Sequence, residues 1–247
     1  MAQEPMAPLR AFAELGRIKF SETTLVGVFE RVTELAQRSL PGADEVSITL
    51  VRQRRPGTPA ATSELARRLD EAQYERLSGP CLQAATEEDT VTVVDTGAET
   101  RWPEWAVVAS SAGIGSSLSV GLPIREAVQG ALNVYSRSSG AFPDHVISLA
   151  QAFAGYAAVA LANADLYDTT ATLADQLRQA MEHRAVIEQA KGIIMSERRC
   201  SPEEAFALLT KASQDSNRKL REVASALVSR TAGSHSGRSG GSARGGR

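Results

Sequence analysis

Cysteine is scarce in this chain: Cys81 and Cys200 are the only two in 247 residues, and they fall in separate parts of it. No disulfide framework and no zinc-ligand spacing can be built from them, which fits a reducing, cytoplasmic setting. Histidine is scarce too. His145, His183 and His235 stand at a helix start, mid-helix and in a polar tail, with no nucleophile or base at a telling spacing. There is no Gly-x-Ser-x-Gly elbow, no Gly-x-x-x-x-Gly-Lys loop and no cluster of metal ligands. Gly113-x-Gly115 precedes a strand rather than a helix, so it fails as a dinucleotide fingerprint. The sequence thus predicts no catalytic residue, no metal and no cofactor. Nothing in it is expected to reach the apolar length of a membrane span, and Met1 to Arg10 lack the apolar core of a signal peptide.

The net charge of −2 is unevenly divided. Residues 172–247 hold 13 Lys+Arg against 8 Asp+Glu, and residues 1–171 hold 14 against 21. A basic C-terminal part on an acidic body is what a polyanion-binding tail needs.

Along the chain, residues 1–8 read as disordered, and Leu9–Phe20 and Thr24–Leu40 carry apolar residues at helical spacing. Val46–Val51 alternates Val, Ile and Leu with Ser and Thr, the pattern of a strand with one buried face. Arg54-Arg55-Pro56-Gly57 predicts a turn, followed by a short strand through Ala60-Ala61 and a helix opening at Ser63-Glu64. Val91–Val94, Ser117–Leu122 and Ala131–Tyr135 read as further strands, the last two separated by a loop around Glu126. The order predicts an α+β domain, an antiparallel sheet with flanking helices.

Proline is absent between Pro143 and Pro202, and glycine occurs there only at Gly155 and Gly192, so a long helix is expected. Its first half is alanine-rich and suits close packing. Its second half places Leu166, Leu173, Leu177, Ala180, Ile187 and Ile194 on three- and four-residue steps and their seven-residue sums, the pattern of a coiled-coil dimer seam. Thr170, Arg184 and Lys191 interrupt that pattern, so the predicted seam is short; packing of this face within its own chain is the alternative. Beyond it, Ser201 sits as an N-cap, Pro202 at the first helical position and Glu203-Glu204 in the first turn. A third helical segment runs from Leu220 to Val228, completing a small all-α three-helix bundle. Residues 231–247 read as a disordered Gly/Ser/Arg tail.

The run Ala185–Met195, the Ser201-Pro202-Glu203-Glu204-Ala205-Phe206 start and Lys219-Leu220-Arg221-Glu222-Val223-Ala224 together resemble an ANTAR domain over residues 172–230. That resemblance implies binding to paired hairpins in leader transcripts and transcription antitermination. RNA binding needs cations for phosphates and flat groups for loop bases. The candidates are Lys191, Gly192, Arg198, Arg199, Phe206, Lys211, Arg218, Lys219 and Arg221. For Phe206, filling the bundle core weighs above stacking on a base; Gly192 would let a neighbour or an RNA backbone approach closely.

Gly79-Pro80-Cys81, Arg101-Trp102-Pro103-Glu104-Trp105, Gly113–Pro123 and Gly130–Tyr135 together resemble a GAF domain over residues 20–165. The resemblance implies a sheet-based small-molecule pocket whose ligand is unspecified. Cys81, Trp102, Trp105 and Tyr135 are the pocket candidates, with core packing the competing reading for the tryptophans. The Asn-Lys and Phe-x-x-x-Asp-Glu signature of cyclic-nucleotide GAF domains is missing, since Val134 follows Asn133 and Val146-Ile147 follow Phe142 at the required distance.

These readings divide the chain into an N-terminal segment (1–19), a GAF sensor (20–165), a helical linker (166–184) overlapping the ANTAR domain, and the tail. The predicted protein is a homodimeric, signal-responsive RNA-binding regulator with no membrane attachment. A DNA-binding transcription factor, or a sensor or scaffold without nucleic acid, are the rival readings.

Overall fold

Alternation in the strands and proline at helix starts account for most of the architecture. The computed structural model describes residues 7–125 and 128–236, which fall into two units divided after Thr169. In the first unit the helices are α1 (Pro8–Leu15), α2 (Leu25–Ser39), α3 (Glu64–Tyr74), α4 (Pro80–Glu87) and α5 (Pro103–Ser111), with the first part of α6 (Asp144–Arg198). The strands are β1 (Glu45–Arg52), β2 (Arg55–Ala61), β3 (Thr90–Val93), β4 (Ser116–Arg125) and β5 (Val128–Ser136). They form one antiparallel sheet in the order β2-β1-β5-β4-β3. The α+β class expected from the sequence is the observed one.

The β1–β2 turn falls at Gln53-Arg54, ahead of the Arg54–Gly57 stretch that the sequence suggests, and both residues have positive φ, 51° and 63°. Positive φ at both central positions is the signature of a type I′ two-residue hairpin, whose twist matches that of the strands. Pro56 therefore belongs to β2 itself, and as an edge strand β2 accommodates a residue without an N–H. The predicted loop around Glu126 lies outside the described residues.

Val46, Ile48 and Leu50, Leu118, Val120 and Leu122, and Leu132 and Val134 share one apolar sheet face with α2 and with Phe153, Ala157 and Leu161 of α6. Helix α1 adds Ala11 and Leu15 to this core, and Phe12 stacks on Tyr156 at 5.0 Å. The segment read as preceding the domain is thus packed into it. An 18-residue window of α6 is long and apolar enough to cross a membrane by length and composition, contrary to the sequence expectation. The apolar content there has a packing reason: Phe153, Ala157 and Leu161 are fully buried in the unit's core.

The opposite sheet face corrects the idea of strands with one buried side. Ser47, Thr49, Ser117, Ser119 and Asn133 are all at most 1% exposed. Their face is roofed by α3, α4 and α5, and two of these helices, α4 and α5, start with a proline that needs no N–H partner at the first turn. Gly121 in β4 lets α4 lie directly on the sheet, since a Cβ there would meet the Glu88 backbone at 2.7 Å. A buried polar layer results, held largely by side-chain hydrogen bonds.

The second unit begins within α6 and continues through α7 (Pro202–Ser216) and α8 (Leu220–Ser236). Helix α7 starts on a complete capping box between Ser201 and Glu204 and ends at Asn217 in the left-handed conformation. Ala190, Leu209 and Ala224 form the buried centre, with Val186, Ile187, Ile194, Leu220 and Val223 packed around it. Helix α8 runs six residues past Arg230, where the tail was expected to begin, with Thr231 Oγ1 donating to the Leu227 carbonyl. Arg238, Arg244 and Arg247 lie outside the described residues.

Candidate functional site

Asp70 is the chemical centre of the first unit. Helix α3 carries Ala66, Leu69, Asp70 and Gln73 on one buried face, and Ser63 caps its start by accepting from the Ala66 amide at 3.2 Å. The Asp70 carboxylate is fully buried and has no cationic partner among the described residues. Its Oδ1 accepts from Tyr135 OH at 2.6 Å, Ser47 Oγ at 3.0 Å and Asn133 Nδ2 at 3.2 Å, and its Oδ2 accepts from Thr58 Oγ1 at 2.8 Å. Burial pushes its pKa up to about 6. The four hydrogen bonds pull the other way, but removing the anion from water costs more than neutral donors return.

A second ring surrounds it. Tyr74 OH bridges Thr49 and Thr58 at 2.9 and 2.8 Å, and burial together with the nearby Asp70 raises its pKa. Gln73 accepts from the Cys81 amide at 2.9 Å, which requires Gly79 beside it: a Cβ there would sit 2.2 Å from Gln73 Oε1. Ser117 Oγ, Ser119 Oγ and Asn133 Oδ1 are buried without a hydrogen-bond partner.

Of the four pocket candidates read from sequence, Cys81, Trp105 and Tyr135 are buried parts of this layer. Trp105 donates its indole N–H to the Leu69 carbonyl at 3.2 Å, and Tyr135 donates to Asp70. Burial raises the Cys81 thiol well above its ordinary pKa, so it is a poor thiolate. Trp102 is half-buried and carries the Arg101 guanidinium 4.5 Å from its ring. Sequence reasoning missed Asp70, Ser47, Thr49 and Asn133. The available signal was the apolar spacing of α3, which puts position 70 on the same face as positions 66, 69 and 73.

In the second unit the cations sort by pairing. Lys191 is only 17% exposed and contacts Glu188 at 3.0 Å. Arg218 meets Glu222 at 3.8 Å, and Arg221 donates to His183 Nε2 at 3.2 Å. Arg198, Arg199, Lys211 and Lys219 are exposed and have no ion pair among the described residues. Arg198 and Arg199 stand at the α6–α7 turn, Lys211 on α7, and Lys219 at the α7–α8 turn. Phe206 is 43% exposed, so the core reading fails for it; Ala205 and Leu209 take the buried positions of α7. Gly192 has open space where a Cβ would lie, so no neighbour among the described residues requires it.

Of the predicted dimer-seam residues, Leu166, Leu173 and Leu177 are 55%, 55% and 58% exposed. Ala180 is exposed as well, while Ile187 packs into the bundle centre.

A five-stranded sheet roofed by short helices and joined through one helix to a three-helix bundle is a two-domain class of chain, an α+β domain followed by an all-α one. The chain belongs to the GAF domain family, which it matches over residues 22–162, and carries an ANTAR domain over residues 175–228. GAF domains are sensor modules and ANTAR domains are in general RNA-binding antitermination regulators. Solved structures share the fold of the first unit. The reduced form of fRMsr from Staphylococcus aureus is 15% identical, with a TM-score of 0.50 over 65% of this chain and 99% of that one. The phycocyanobilin-bound GAF domain of a cyanobacterial phytochrome is 12% identical, with a TM-score of 0.50 over 66% of this chain and 97% of that one. Among proteins of curated function, none matches.

Proposed function

We propose that this protein is a homodimeric regulator whose ANTAR bundle binds hairpins in nascent transcripts and promotes read-through, under control of its GAF unit. The observation that carries this reading is the bundle's surface: six exposed cations, Arg184, Arg198, Arg199, Lys211, Lys219 and Arg230, have no acidic partner among the described residues, and the Phe206 ring is exposed on the same unit. Unpaired cations release counterions from RNA phosphates on binding, and an exposed ring stacks on an unpaired base. Lys191, already held by Glu188, contributes less than Lys211 or Lys219. A cytoplasmic location follows from a nascent-transcript target.

Helix α6 supports the dimer. Three exposed leucines on one stretch of helix are a costly surface for a monomer, and a second copy of the same helix would cover them. A signal in the GAF unit would then reach the output through α6 by changing the spacing of two bundles.

The test is an anisotropy titration of a labelled RNA hairpin with the intact protein, competed by duplex DNA. Tight hairpin binding that weakens steeply with salt and resists DNA competition supports the reading. The double variant Lys211→Gln/Lys219→Gln should flatten the log–log salt slope by about one to two. Preferential DNA binding would favour the transcription-factor alternative, and salt-insensitive or absent binding would overturn a nucleic-acid role.

A further inference from the structure

A cleft of about 400 Å³ opens beside the β1–β2 hairpin, apart from the buried Asp70 layer. Its walls are Val51, Pro56, Leu77 and Leu82, and its rim carries Gln53 and Arg54. We propose that this cleft is the ligand site of the GAF unit and takes a small amphiphilic anion, a carboxylate on a short hydrocarbon chain. The proposal rests on reading the GAF unit as a sensor and names the chemistry it senses.

Three observations carry it. The walls are apolar but do not close: Leu77 is 70% exposed, whereas every other leucine of the unit except Leu9 and Leu166 is buried or half-buried. Leu77 has φ 50° because it caps the end of α3, where its N–H donates to the Tyr74 carbonyl and the Ser78 N–H to the Gln73 carbonyl, each at 3.1 Å, and that helix end fixes Leu77 as a wall of the cleft. Arg54 provides the second observation. It stands at the tip of the β1–β2 hairpin, is exposed, and its side chain makes no hydrogen bond or ion pair among the described residues, although neighbouring Arg52 is engaged with Asp165 at 3.5 Å. An unpaired guanidinium over an apolar wall is a carboxylate receptor with the geometry for two parallel hydrogen bonds.

The third observation is what ends the cleft. Two residues along β1 and β2 from Val51 and Pro56, Thr49 and Thr58 hold the Tyr74 hydroxyl and begin the polar layer. The apolar floor is therefore short, and Gln129 closes its other side by donating to the Thr86 carbonyl at 3.4 Å. A short chain with one charged end fits this lining, whereas a cation would meet Arg54 and a long lipid would run into the polar layer. Pockets of this size lie at the small end of the usual range for bound small molecules, about 300–1,000 Å³.

Octanoate, octylamine and octanol serve as probes, titrated into the intact protein without RNA while leucine methyl resonances are followed by NMR. Octanoate is expected to shift the Leu77 and Leu82 methyls saturably and to bind about tenfold more tightly than octanol. Arg54→Gln should remove that difference, leaving octanol unchanged, and the exposed-site variant Leu77→Ser should weaken both while the protein stays folded. Octylamine binding as well as octanoate, an Arg54→Gln variant with full octanoate selectivity, or no shift at either leucine would each overturn the proposal. Hairpin affinity of the same preparations, measured separately, shows whether the regulator reading stands or falls independently of the ligand class.

Discussion

Asp70 shows how one residue can set the pH response of a domain. Its folded pKa of about 6 lies above the ordinary 3.8, so between those values the folded state holds a proton that the unfolded chain has released. The stability this group contributes is fully present below pH 3.8 and is lost as pH rises through 6. A rise from 3.8 to about 6 corresponds to roughly 3 kcal/mol for this single group. Urea denaturation of the parent at pH 7 and pH 5 should therefore show greater stability at the lower pH. Asp70→Asn should lose most of that difference, and parallel changes in both proteins would show that the carboxyl does not titrate in this window. Phe206 belongs to the same scale. At 43% exposure, Phe206→Ala should change folding stability by about 0.5 kcal/mol or less. Hairpin affinity should nevertheless fall by about tenfold if the ring stacks on a base, a difference that anisotropy resolves easily.

Among the elements, legibility follows the strength of local signals. The strands β1, β4 and β5 are readable because their alternation is regular, and α7 because Ser201, Pro202 and Glu204 spell a capping box. Helices α4 and α5 are hard to read because each is short, 8 and 9 residues, and built from small or β-branched side chains between loops. Only Gly79-Pro80 and Trp102-Pro103 announce them. The Asp70 layer is illegible for a different reason: serine, threonine and asparagine on alternate strand positions look solvated until the roofing helices are known to exist. The surface cations of the bundle are readable as a set, and so is the i,i+3 pairing of Glu188 with Lys191, but the burial of Lys191 and the outward turn of Phe206 emerge only in three dimensions. Helix α6 carries the prediction of this scale. Leu173→Glu with Leu177→Glu replaces two exposed apolar side chains with charges that would face each other across a dimer seam. Sedimentation equilibrium should find the parent dimeric and this variant monomeric, with unchanged helical circular dichroism; a parent that is already monomeric removes the seam.

At the scale of the whole molecule, the decisive feature is that α6 runs without a break from Asp144 to Arg198 and so belongs to both units. A continuous helix transmits rotation and register, because each inserted residue turns everything beyond it by about 100° and advances it about 1.5 Å. If α6 sets how two ANTAR bundles are presented, an RNA carrying two hairpins should be sensitive to that phase. Inserting seven helix-forming residues between Ala171 and Thr172 keeps Leu173 and Leu177 nearly in phase with Leu166, as the proposed seam requires, since seven residues fall about 20° short of two turns. Inserting two turns Leu173 and Leu177 by about 200° away from Leu166 and splits the seam. The seven-residue variant should bind the two-hairpin RNA with near-parental avidity. The two-residue variant should fall to the affinity measured for a single hairpin, because two sites in the wrong phase cannot both engage. A single-hairpin RNA should not distinguish the variants, since each bundle keeps its own core of Ala190, Leu209 and Ala224. If both insertions bound the two-hairpin RNA equally well, α6 would be a tether rather than a ruler, and control by the GAF unit would have to act by occluding the bundle instead of by spacing it.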